Sequence, residues 1–143
     1  MLEETITPDK LSIVISQAAA PAFLLGAVAS LLSVLVSHMS RIVDRMRVLN
    51  AISEEDTANV HLKRGLSDLR IRAAFVIRSI YWAVGSGIAT CLLMIVAFGA
   101  AYLGAKHEPA AAVLFMISLS LFMASLISFA REVRVAINQK DLP

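Results

Sequence analysis

The residues with chemistry to offer fall on one helical repeat. Gly26, Ser30, Ser33, Ser37, Ser40, Asp44 and Arg47 follow one another at spacings that alternate between four and three. At 3.6 residues per turn, such spacing puts them on a single helix face. Two readings follow from the residue types. In one, small residues let helix backbones approach closely, and each hydroxyl is satisfied on a carbonyl one turn back. In the other, several copies turn this face toward a common axis. The hydroxyls then line a wet path for small ions, and Asp44 and Arg47 ring its inner mouth.

A second set of residues is charged. Arg41, Asp44, Arg45 and Arg47 follow the first apolar block, Arg78 precedes the second, and Arg131 and Glu132 follow the third. These residues are expected to form a collar at one boundary. Asp44 and Glu132, each flanked by arginines, are expected to make charge-assisted pairs between helices that lock the bundle; under conduction they would set charge preference. His38 adjoins Ser37 at this edge. Imidazole is the side chain whose charge changes near neutrality, so His38 reads either as a sensor or as a plain interface residue. A shorter polar run, Ser118, Ser125 and Ser128 ending in Glu132, reads as a packing face.

The elements that must carry these residues are apparent from composition. Of 143 residues, 58% are hydrophobic and only 17% charged, more apolar than a soluble domain of this size. The excess lies in three charge-free blocks, about 16–36, 83–103 and 110–130. Each is long enough, at roughly 30 Å of helix, to cross the hydrocarbon of a bilayer, and in lipid the backbone must be satisfied within the segment. The fold class is therefore an all-α integral membrane protein with three transmembrane helices, residues 1–143 making one membrane domain. The acidic start Met1-Leu2-Glu3-Glu4 argues against a signal peptide. Cys91 is the one cysteine, which excludes an intrachain disulfide; it is expected buried and neutral.

Orientation follows from the basic residues. Eleven of the thirteen lie between the first two blocks or in the C-terminal tail, which places those segments inside and the N-terminus outside. Along and just beyond 37–82 two apolar rhythms face each other: Leu35, Met39, Ile42, Met46 and Leu49 against Leu62, Leu66, Leu69, Ala73, Val76, Ile80 and Ala83. They predict a cytosolic antiparallel helical hairpin that continues the first two spans. Its turn is expected at Asn50 to Ser53, with Ser53 to Asp56 as a capping box. Thr7 and Pro8 read as the start of the first helix, Glu108 and Pro109 as the start of the third, and Pro21 predicts a kink.

No glycine-rich phosphate loop, metal-ligand set or nucleophile–base pair is present in the sequence, and no ionisable residue lies inside a span. An enzyme, a cofactor and a metal are therefore not expected. The basic hairpin lacks the aromatic platforms that accompany nucleic-acid binding; its charge suits anionic headgroups of the lipid bilayer.

Four segments, Met1-Leu2-Glu3-Glu4, Ala20-Pro21-Ala22-Phe23-Leu24-Leu25, Ser40-Arg41-Ile42-Val43-Asp44-Arg45 and Phe129-Ala130-Arg131-Glu132-Val133-Arg134, resemble a family of small bacterial three-span inner-membrane proteins catalogued as a domain of unknown function. The resemblance covers almost the whole chain. It implies a bacterial inner (cytoplasmic) membrane location and supplies no activity. The expectation from the residues is a homo-oligomer, of four or five copies if it closes a ring. It either conducts small ions along the first helix or serves as a non-conducting scaffold or regulatory subunit that binds a partner through its hairpin.

Overall fold

The computed structural model describes residues 8–55, 60–103 and 108–138. They form three α-helices: α1 (Pro8–Glu55), α2 (Val60–Leu103) and α3 (Glu108–Asn138). Proline at the first helical position costs no hydrogen bond, and Asp9 in the first turn complements the helix dipole. Pro21 stands inside α1, which stays helical through it. All three helices are long and apolar enough to cross a membrane. Their outer surface carries many large apolar side chains, among them Phe23, Ile95 and Leu103 at 81%, 67% and 78% exposure. A continuous apolar exterior of that kind calls for lipid rather than water.

α2 is the centre of the bundle and packs along both other helices, whereas α1 and α3 touch over a short stretch. The two contact faces of α2 are heptad stripes. Leu69, Val76 and Ala83 face α1, where Leu35 and Ile42 are buried against them with Ala73. Arg72, Ser79 and Ser86, three positions further on, face α3. Three residues of rotation at 3.6 per turn leave the two stripes roughly 60° apart, so α1 and α3 lie on the same side of α2. A repeat of seven sustained on a helix selects shallow crossing angles, because side chains stay on the seam as the helices wind.

The apolar seam expected between the first two helices is thus in place, with Met39, Met46, Leu49 and Ile80 packed around it. The hairpin as a separate element is not. Its arms are the uninterrupted continuations of α1 and α2, because the seam never leaves the helices on which it began. The turn expected at Asn50 to Ser53 is also corrected: these residues are helical and α1 runs to Glu55. Extending the helix there continues the Met46–Leu49 packing, which outweighs the local turn preference of Asn50. Thr7 and Asp56 lie outside the described residues. Cys91, expected buried, is exposed on α2, since it falls on neither contact stripe.

At the opposite end from Arg72 the bundle opens. Leu93 and Ala111 occupy the next heptad positions after Ser86 and before Ser118, and the small alanine leaves a crevice of about 350 Å³ between Pro21, Leu93, Ala97, Ala111 and Phe115. The closed part of the α1–α2 seam is the sensitive one. Ala83, with no exposed surface, lies in the α1–α2 core cluster, so Ala83→Leu should destabilise the fold by about 1–3 kcal/mol through overpacking. Unfolding in mixed micelles, followed by circular dichroism, measures that shift.

Candidate functional site

Three rungs join α2 to α3, each spaced seven residues from the next on both helices: Arg72 with Glu132, Ser79 with Ser125, and Ser86 with Ser118. The rise of a helix makes each step about 10 Å, so the ladder runs along roughly 20 Å of the α2–α3 contact. The two serine rungs are reciprocal. Ser79 Oγ donates to Ser125 O at 3.0 Å, and Ser125 Oγ donates back to Ser79 O at 2.8 Å. Ser86 Oγ donates to Ser118 O at 2.9 Å, and Ser118 Oγ to Ser86 O at 3.0 Å. Thr90 Oγ1 joins the last rung, donating to Ser86 O at 2.8 Å and touching Ser118 Oγ. All five hydroxyl side chains are fully buried. A hydroxyl reaches the backbone of the neighbouring helix only if both residues are small, so the ladder both requires and enforces close approach.

The first rung is ionic. Glu132 has no exposed surface, and its Oε1 accepts from Arg72 Nε at 2.8 Å. Its Oε2 faces His38 Nε2 of α1 at 2.9 Å. Neither Oε2 nor Nε2 makes an aligned hydrogen bond; they meet as a close polar contact. His38 is held by an edge-to-face contact with Phe129 of α3, ring centres 5.7 Å apart. One carboxylate therefore takes a contact from each of the other two helices, and His38 lies where α1 and α3 touch. A buried carboxylate is tolerated only when paired and satisfied, so this geometry ties the positions of all three helices together.

Of the collar residues named from the sequence, only Glu132 is interior. Arg41, Asp44, Arg45, Arg47, Arg78 and Arg131 are all exposed. Glu132 does pair between helices, but with Arg72 rather than with the arginines beside it in sequence: on a helix, adjacent residues point to different sides. No interhelical pair of Asp44 is found among the described residues. Gly26, Ser30, Ser33, Ser37 and Ser40 are exposed along α1, on the face turned away from the Leu35–Ile42 seam; Ser40 Oγ donates back to Val36 O at 3.1 Å. A shallow crevice of about 270 Å³ lies on this face, lined by Ser33, Val34, Ser37, His38 and Arg41. The residues that sequence reasoning missed are Arg72, Ser79, Ser86 and Thr90. A signal is available for the first three: a polar residue every seventh position on α2, matching the same period at Ser118, Ser125 and Glu132.

Removing one partner of the buried pair should cost far more than removing both. Arg72→Met and Glu132→Met should each destabilise by about 3–5 kcal/mol, with much of the loss recovered in the double variant. Ser79→Ala should cost only about 0.6 kcal/mol, the mean for hydrogen bonds between helices in lipid. A double-mutant cycle of unfolding free energies in micelles checks both values.

Comparison with curated proteins and with solved structures gives no match. Residues 18–142, nearly the whole chain, match a family described as a protein of unknown function. That span includes the apolar seam, the three-rung ladder and His38. The chain belongs to the DUF2721 family.

Proposed function

We propose that the protein assembles in the bacterial inner membrane as a homo-oligomer with α1 innermost, and that the assembly conducts small ions along the Ser30, Ser33, Ser37 and Ser40 face. The observation that carries this reading is the division of labour on α1. Its apolar side is consumed by α2, while the whole small polar stripe from Gly26 to Ser40 is left uncovered. In lipid, a face of small residues and hydroxyls is better placed against another helix than against acyl chains. Copies meeting through this face would gather the hydroxyls around one axis, with exposed Asp44 and Arg47 at its end able to set charge preference.

The basic bias of residues 37–82 and of the tail supports a cytosolic location for the ends of α1 and α2 that lie beyond the ladder, with the N-terminus outside. A non-conducting scaffold is the second reading. It is favoured by the length of the α1–α2 seam below His38, which reaches Met46 and Leu49 and would present two rigid arms to a partner.

Copy number and flux separate the two. Native mass spectrometry of the protein in lipid nanodiscs should give a closed ring of four or more chains, and liposomes containing it should pass small ions. The double variant Ser33→Leu, Ser37→Leu should keep the copy number and lose the flux. A monomer or dimer, or a parent protein without flux, favours the scaffold.

A further inference from the structure

We infer that the crevice at the open end of the bundle is a lipid site, which takes one acyl chain of a phospholipid from the leaflet on the side of the α1 N-terminus. The lining decides what kind of occupant fits. Side chains of all three helices surround about 350 Å³, and among the described residues Gln17 is the one polar member. That volume lies within the range of ligand pockets, about 300–1,000 Å³. Without contents it would cost every lining atom its contacts on that side. Water is a poor filler, because a buried water needs about two to four polar partners and the lining offers only Gln17. The crevice therefore selects an apolar occupant.

Shape and place narrow the choice to an acyl chain. Along α2 the lining runs from Leu93 to Ala101, about 12 Å of helix, and along α1 from Val14 to Pro21, about 10 Å. The crevice is thus a slot along the helix axes, and it extends over most of one leaflet, half of a hydrocarbon core about 30 Å thick. Gln17 and Ala111 stand near the ends of their charge-free blocks, and Leu93 stands at the middle of its own. The slot therefore descends from the membrane surface toward the midplane, the course an acyl chain takes. Pro21 and Leu93 are buried in it, whereas Ala97 and Ala101 are exposed. Phe98, also in the lining, is 43% exposed and shares the apolar exterior with Ile95. The slot is continuous with the surface that faces lipid, so a chain enters sideways and crosses no polar barrier. Gln17 lies where the ester and phosphate oxygens of that lipid would be, and its side-chain amide can donate to them. The site does not depend on whether the assembly conducts.

The probe is a phosphatidylcholine with a diazirine midway along one acyl chain, mixed as a minor component into vesicles of phosphatidylethanolamine and phosphatidylglycerol. Irradiation joins the chain to the side chains it touches, and mass spectrometry reads the labelled residues. Ile95 is the control: it lies on α2 close to the depth of Ala97, is 67% exposed and is no part of the lining. In intact vesicles Ala97, Phe115 and Ile95 should all take label. When the vesicles are dissolved in mild detergent before irradiation, bulk lipid is lost, and label on Ala97 and Phe115 should survive severalfold better than label on Ile95. Equal loss at the three positions overturns the proposal. So does an unlabelled Ala97 and Phe115 in intact vesicles, the outcome if water or another protein segment occupies the crevice. The double variant Ala97→Leu, Ala111→Leu fills the slot; it should lower the label on Phe115 severalfold in intact vesicles and leave Ile95 unchanged, and undiminished label on Phe115 overturns the proposal equally. The detergent comparison on the parent protein stands without any variant.

Discussion

A carboxylate with no exposed surface is the constraint to which the remaining packing answers. Charge inside a membrane-embedded bundle is expensive unless both oxygens find cationic or hydrogen-bonding neighbours. Glu132 pairs through Oε1 with Arg72 on α2, while its Oε2 meets His38 of α1 as a close polar contact without an aligned hydrogen bond. Sliding α2 against α3 by one residue would carry Arg72 away from Oε1 and leave a buried ion alone. The apolar seam fixes a different pair of helices, α1 and α2, by shape: fully buried Ala83 and Leu35 leave no room for a larger side chain. The ion pair thus adds a charge-based register between α2 and α3 to the packing of the seam.

The serine rungs extend that register through the bundle. Where no hydrophobic driving force operates between helices, close packing and hydrogen bonds do the work. Reciprocal bonds from Ser79 to Ser125 and from Ser86 to Ser118 need the two backbones near each other at both places at once. The Arg72–Glu132 rung, about two turns from Ser79 and about four from Ser86, sits in the same register. Beyond Ser86 the next pair is Leu93 and Ala111, which offers no side-chain hydrogen bond, and there an apolar crevice lies among the three helices. The molecule is therefore closed by polar contacts at one end and open at the other, and His38 lies at the closed end.

Much of this architecture is legible in the amino-acid sequence. The three spans, the α1–α2 seam and the exposed serine stripe follow from apolar runs and helical periodicity, signals that survive because lipid imposes them on every residue of a span. The α3 half of the ladder is visible too, since Ser118, Ser125 and Glu132 stand out against an apolar background. Its α2 half is fainter, carried only by the seven-residue spacing of Arg72, Ser79 and Ser86. Arg72 sits near Arg70 and Arg78 in a stretch that reads as a solvated basic arm, and nothing local marks it as the one that turns inward. Pairing depends on the neighbour's register, which exists only once helices are packed. The turn near Asn50 is misplaced for a related reason: a polar residue looks like a break where continued packing keeps the helix going.

The most direct test of this account is a solid-state magnetic resonance measurement on the protein in lipid bilayers, with carbon-13 at the Glu132 carboxyl and nitrogen-15 in arginine and histidine. The account predicts strong through-space transfer from the Glu132 carboxyl carbon to the Arg72 guanidinium and to a ring nitrogen of His38 in the same sample. Arg72→Met should remove the first signal and His38→Gln the second. A carboxyl carbon that correlates with water protons, and with neither side chain, would contradict it.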